Sequence, residues 1–161
     1  MSKNVDRELI TEALRESNAI ENVRDKKSLK DALAAWDFVV ARDRLTPDIL
    51  CTTHRILMRN QPLEEKWKGA FRRQDIFVSN QPHGLASLDI PLAMHLWCAD
   101  TAEQNSSWKR LHIWFELIHP FVDGNGRTGR IFMNWTRVKQ HKLPPLIIRE
   151  KEKWRYYEWF R

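Results

Sequence analysis

The chain has 161 residues and a mass of 19.3 kDa, which suits one domain and leaves little room for a second independent core. With 42% hydrophobic and 30% charged residues, it has a globular composition able to bury roughly 70% of its unfolded surface, which excludes disorder as its main description. The net charge of +6, from 27 Lys and Arg against 21 Asp and Glu, raises nucleic acid as a partner. The bases, however, alternate with acids in Arg24-Asp25-Lys26-Lys27, Arg42-Asp43-Arg44 and Arg149-Glu150-Lys151-Glu152-Lys153, as on solvated helix faces, and this argues against it.

No apolar run approaches the ~20 residues of a membrane-spanning helix, and Met1-Ser2-Lys3-Asn4-Val5-Asp6-Arg7 has no apolar signal core. No membrane association is expected, and a cytoplasmic location is. Cys51 and Cys98 lie in apolar neighbourhoods without paired spacing and read as buried, reduced thiols.

Helical spacing dominates the chain. Val5, Leu9, Ala13 and Leu14 form one apolar face of a first helix, which ends in Ser17-Asn18-Ala19-Ile20-Glu21-Asn22. A second helix is predicted from Ser28 as N-cap through Leu29, Leu33, Trp36 and Val40, and a third from the cap Thr46 and Pro47 through Leu50, Thr53 and Leu57. From Gly69 to Asn80 the pattern turns β-rich and reads as a hairpin. Helices resume over Leu88 to Ala102, over Ser107 to Ile118, and after Gly126 through Ile131, Phe132, Trp135 and Val138. Pro144-Pro145 separates these from an aromatic and charged segment, Glu150 to Arg161. Trp36, Trp114 and Trp135 fall on the apolar faces and are assigned to the core.

Glycine is scarce at 5 residues, yet Gly124, Gly126 and Gly129 cluster in His119-Pro120-Phe121-Val122-Asp123-Gly124-Asn125-Gly126-Arg127-Thr128-Gly129-Arg130. One helix pattern stops at Ile118 and the next starts near Gly126, so a tight loop feeds a helix amino terminus with its unpaired N–H groups and positive dipole end. Glycines there allow close approach of an anion, and Arg127 and Arg130 can share a face above it, as a polyphosphate site requires. Beside bound phosphates, the Asp123 carboxylate would hold Mg²⁺. His119 is the titratable group of the segment able to take a proton from a hydroxyl near neutral pH. Phe121 is expected to turn into the core.

At each defining position this segment resembles the Fic motif, and Leu111 through Ile118 resembles the helix that precedes that motif in Fic domains. Phe71-Arg72 through Val78 resembles their β-hairpin flap. The resemblance implies an all-α, compact helical fold with a small hairpin flap, spanning 1–161 as one domain, with the catalytic helix-loop-helix at 111–130. It also implies transfer of AMP from ATP to a Ser, Thr or Tyr hydroxyl of a target protein. His119 would be the base and Asp123 the Mg²⁺ ligand. Gly124, Asn125 and Gly126 would form the anion hole, and Arg127 and Arg130 would steady the β and γ phosphates. Phe71, Arg72, Ile76, Phe77 and Val78 would form the flap that holds the target segment by strand addition. Ser17, Glu21 and Asn22 resemble an inhibitory pattern of Ser or Thr, three residues, Glu, then Gly or Asn. Residues 1–24 would then be a regulatory helix whose Glu21 pairs with Arg130 and blocks the γ-phosphate.

Gly126 stands where kinase-like relatives carry lysine, which favours nucleotidyl transfer. The chain stops at Arg161, where Fic chains generally continue through another helix, so a compact or truncated domain is expected, and a second copy of the chain is a candidate cover for apolar surface there. Three alternatives remain open at this level: a basic nucleic-acid-binding module, a Fic enzyme using another nucleotide or phosphate-linked donor, and a transition-metal site built from His112, His119 and Asp123. The sequence names no partner for His54, His83, His95 or His141, which read as structural or surface residues.

Overall fold

The computed structural model of the chain describes residues 3–103 and 105–161, with side chains from residue 6 onward. Met1, Ser2 and the Val5 side chain, used in the amino-terminal readings above, therefore lie outside the described residues. Within them the chain is mainly helical with one small hairpin, as expected. The elements run α1 (Lys3–Ile20), α2 (Lys26–Val40), α3 (Pro47–Leu57), β1 (Ile76–Val78), β2 (Gln81–His83), α4 (Ile90–Thr101), α5 (Trp108–Ile118), α6 (Asn125–Trp135) and α7 (Lys153–Tyr157). No helix of the described residues is long and apolar enough to cross a membrane.

Local chemistry sets most of the boundaries. Thr46 accepts from the Ile49 amide at 3.3 Å ahead of Pro47, and Ser107 accepts from the Arg110 amide at 3.4 Å, as N-caps should. Helix α2 starts earlier than the sequence suggested. Asp25, not Ser28, is its N-cap: one Asp25 carboxylate oxygen takes the Ser28 amide at 2.8 Å and the other its hydroxyl at 2.7 Å. Helix α1 closes in a Schellman turn, with Val23 N–H on Asn18 O, Asn22 N–H on Ala19 O, both 3.0 Å, and Asn22 at φ 60°.

The core lies where α3, α4, α5 and α6 meet. Leu50, Leu57, Met94, Trp97, Leu111, Phe115, Ile118, Ile131, Phe132 and Trp135 are all buried there. Trp97 is its hub. Its ring contacts Phe115 at 5.3 Å and Phe132 at 5.9 Å, and its indole N–H donates to Leu111 O at 2.8 Å. Trp36 and Trp135 are buried as expected, whereas Trp114 is only partly buried at the margin. Cys98 is buried and Cys51 half-buried; both are free, and burial pushes their thiols up to about 12 and about 11.

The β-rich region is smaller and later than predicted. Gly69 through Asp75 form no strand, and the sheet is Ile76–Val78 paired antiparallel with Gln81–His83, in register Ile76 with His83 and Val78 with Gln81. Ser79 and Asn80 turn the hairpin with φ of 51° and 64°, the left-handed geometry of a two-residue connection. Pro82 conceals β2 from a propensity reading, because proline is tolerated only on an edge strand.

Candidate functional site

Helix α5 ends at His119, whose φ of 51° and ψ of 63° turn the chain out of the helix. The loop that follows is clasped from within. Phe121 is fully buried, and the Asn125 side chain both accepts from the Phe121 amide at 2.8 Å and donates to the Phe121 carbonyl at 2.9 Å. The Asn125 amide group is thus committed to the loop, and only its backbone N–H remains to meet a ligand. Gly124 is the N-cap of α6 with φ 79°, and a Cβ there would stand 2.6 Å from Met58 Sδ, so this position requires glycine twice over. No side chain caps α6, which leaves its first amides facing the cleft.

Asp123 stands at the mouth, exposed, with one carboxylate oxygen taking the Gly124 amide at 2.7 Å. A single hard oxygen donor beside an amide-lined anion site suits Mg²⁺, which is held by one or two carboxylates together with substrate phosphates. It does not suit a transition-metal cage. Among the described residues no group of three or more His, Cys, Asp or Glu is arranged to hold a metal. His112 takes no part, because its Nδ1 faces Gly129 O at 3.2 Å and its Nε2 the Tyr156 hydroxyl at 2.8 Å. His112 and Glu116 approach to 3.9 Å, yet burial pushes His112 down to about 3 and Glu116 up to about 7, so the imidazole is neutral and the contact is not an ion pair.

Burial, reinforced by His83 and Arg72, pushes His119 down to about 4, so its imidazole is neutral and able to accept a proton at physiological pH. Two histidines whose partners the sequence does not name belong to this site. His83, on β2, meets the His119 ring edge-on at 4.5 Å. His54, fully buried on α3, stacks on Phe121 at 3.8 Å, accepts from the Gly69 amide at 2.9 Å and donates to the Asp123 carbonyl at 2.8 Å. The amide on Nδ1 fixes its tautomer as Nε2–H. The signal was its spacing, four residues after Leu50 on an apolar face.

The two arginines of the segment are buried at 5% and 4% exposure, and they are restrained by different elements. Arg127 donates to Gln61 Oε1 at 2.9 Å, while its Nε has no partner. Arg130 donates to Ser17 Oγ at 2.8 Å, to Ser17 O at 3.1 Å and to Glu21 Oε1 at 2.8 Å, with the Tyr156 hydroxyl 3.4 Å behind it. Glu21 also covers Gly126, where a Cβ would stand 2.6 Å from its carboxylate. Asn22 contributes the Schellman turn and leaves Glu21 free to point inward.

Phe71 and Arg72 do not lie on the flap strands. Phe71 packs against Phe121 at 5.4 Å. Arg72 is 2% exposed and donates to the carbonyls of His119 at 2.7 Å, Gln74 at 2.9 Å and Ile118 at 3.3 Å, and to that of Leu85. A guanidinium so engaged has nothing left for a target, and its part is to anchor the flap. Backbone bonds from Arg72 N–H to Pro120 O (2.9 Å) and Leu85 N–H to Ile118 O (3.1 Å) root the hairpin on either side of His119. Ile76 is half-buried, and Phe77 and Val78 are exposed on β1. Between the loop and the turns that follow α1 and α3 lies a cleft of about 390 Å³ lined by Glu21, Gln61, His119, Asp123 and residues 124–127.

The sequence model of the Fic/DOC family matches residues 44–136, from just before α3 to the end of α6. A protein of Drosophila mojavensis named protein adenylyltransferase Fic is 34% identical over 120 residues, covering 71% of this chain and 23% of that protein. Its Drosophila grimshawi counterpart is 32% identical over 120 residues, covering 71% and 24%. The chain therefore spans about a quarter of the length of these curated relatives. A crystal structure of a Fic family protein from Desulfovibrio desulfuricans superposes with a TM-score of 0.72 at 22% identity, over 99% of this chain and 56% of that one. A Fic-domain signaling protein from Bacteroides thetaiotaomicron gives 0.77 at 14% identity, over 97% and 72%.

Proposed function

This chain belongs to the Fic/DOC family, and we propose that it is a Mg²⁺-dependent protein adenylyltransferase that moves AMP from ATP to a Ser, Thr or Tyr hydroxyl of a target protein, restrained by its own Glu21. The observation that carries the reading is the single cleft in which a neutral His119, the Asp123 carboxylate and the uncapped start of α6 face one another. Relatives at 34% and 32% identity carry the name protein adenylyltransferase Fic, which supports the same activity.

In the reaction the target hydroxyl oxygen forms a bond to the α-phosphorus, the bond from that phosphorus to the bridging oxygen breaks, and diphosphate leaves. His119 takes the hydroxyl proton, and burial keeps it unprotonated beforehand. The amides of residues 124–126 and the Arg127 guanidinium hold negative charge where it develops, without a covalent enzyme intermediate. Asp123 would hold Mg²⁺, which when bound neutralises phosphate charge. The exposed β1 edge at Ile76, Phe77 and Val78 would pair with an extended target segment. Arg130 is the one motif arginine already satisfied by a carboxylate, so a γ-phosphate must displace Glu21 to reach it. This is the basis of the restraint.

The test is incubation of wild type, Glu21→Gly and His119→Ala with Mg²⁺ and ATP labelled on its α-phosphate, with and without cell lysate. The expected result is labelled protein, most with Glu21→Gly and none with His119→Ala. Equal label in all three, or none in any, overturns it.

A further inference from the structure

Arg127 is a buried guanidinium without a carboxylate partner among the described residues. Its one hydrogen bond runs to a neutral amide, Gln61 Oε1 at 2.9 Å, and its Nε is unsatisfied. A buried, unpaired charge is costly, so something must hold it in place while the cleft lacks an anion. What holds it is a directed chain. Gln61 Nε2 donates to Ser28 Oγ at 2.7 Å, and Ser28 Oγ donates to Asp25 Oδ2 at 2.7 Å.

The direction is forced. Asp25 is a carboxylate that only accepts, which takes the Ser28 hydrogen. The Ser28 oxygen must then accept, so Gln61 turns its NH₂ to Ser28 and its carbonyl oxygen to Arg127. Every link donates from the cation toward the anion, and such a series polarises itself. Gln61 and Ser28 are 9% and 3% exposed, so the middle link of the chain is shielded from water, while Asp25 at its far end is exposed. Gln61 lies in the turn after α3 and Ser28 in the first turn of α2, so the chain ties Arg127 to a part of the fold that nothing in the catalytic loop specifies.

We propose that Gln61 and Ser28 are positioning residues that aim Arg127 at the polyphosphate of the substrate. The proposal rests on the polyphosphate half of the reading above and not on adenylyl transfer. Its test is the affinity of the full chain carrying Glu21→Gly for Mg²⁺-tripolyphosphate, and separately for Mg²⁺-ATP, by calorimetry. Gln61→Met, which keeps the length and removes both bonds, is expected to weaken tripolyphosphate binding tenfold or more, and Ser28→Ala several-fold. In an Arg127→Ala background each should cost less than twofold, because the effect passes through Arg127. Losses that persist undiminished in that background, or unchanged affinity in both variants, overturn the proposal, and either variant suffices if the other fails to fold. No tripolyphosphate binding by the Glu21→Gly chain overturns it as well. Tripolyphosphate binding without ATP binding would instead refute adenylyl transfer while the Arg127 cycle is still read.

Discussion

At Arg130, one guanidinium answers to a serine, a glutamate and a tyrosine from opposite ends of the chain. Removing Glu21 takes a charged partner from a group that is almost wholly buried. Glu21→Gly is therefore expected to destabilise the nucleotide-free protein by about 1–3 kcal/mol while raising transfer tenfold or more. Thermal melts with and without Mg²⁺-ATP check this, since nucleotide should restore what the variant loses. His119 predicts a second observable. Its pKa is depressed to about 4, and the proposed base must be neutral, so activity is expected to persist as pH falls through the ordinary histidine range and to be lost only near pH 4. A pH profile of kcat/KM flat from 7 to 5 is expected; an acid limb centred near 6.5 would show that the imidazole is solvated in the working enzyme.

At the scale of elements, the α5-loop-α6 hairpin and the flap are held together by main-chain carbonyls. Arg72 serves carbonyls from three segments, so Arg72→Ala leaves several buried acceptors unpaired and should cost about 2–4 kcal/mol, with faster amide exchange across residues 76–83. Gly124→Ala must hold a side chain at φ 79° against Met58, and is expected to lose about 1–3 kcal/mol and most nucleotide affinity, measured by denaturation and calorimetry. The helices were legible because caps and periodicity are local: Thr46 with Pro47 and Ser107 mark their helices unaided. Asp25 was hidden behind a second capping residue, Ser28, three positions on. The β pattern starts at Gly69 in the sequence but only at Ile76 in the structure, because Ile76, Phe77 and Val78 carry the strand-favouring run while Arg72 is drawn into a carbonyl cluster that includes His119 O, 47 residues away in the chain.

For the whole molecule, buried titratable groups set the response to acid. His54 and His112 are pushed down to about 4 and about 3, so below pH 6.5 the unfolded chain binds protons that the folded chain refuses. Stability then falls by up to ~1.4 kcal/mol per pH unit for each of them. Glu116, raised to about 7, acts oppositely: its contribution is full below its unfolded pKa and fades as pH rises through 7. The histidines outnumber it, so denaturant midpoints should be highest near neutrality and drop steeply from pH 6 to pH 4.5. His54→Gln should flatten that slope even if it lowers the midpoint at pH 7.

By itself the sequence determined the glycine-rich loop between α5 and α6, since three glycines, a histidine, an aspartate and two arginines at fixed spacing form a pattern that is local along the chain. It also marked Glu21, through a short pattern at the end of α1. The pairing of Glu21 with Arg130 was implied by that pattern's resemblance, but only the tertiary structure decided the other partners: Ser17 on Arg130, Gln61 on Arg127, His54 beneath Asp123, His83 beside His119, and Arg72 under the flap rather than on it. The reason is physical. Periodicity and capping report which face of an element is buried, whereas the partner of a buried polar group is chosen by whichever donor or acceptor the packed fold brings within about 3 Å, and no spacing along the chain encodes that choice.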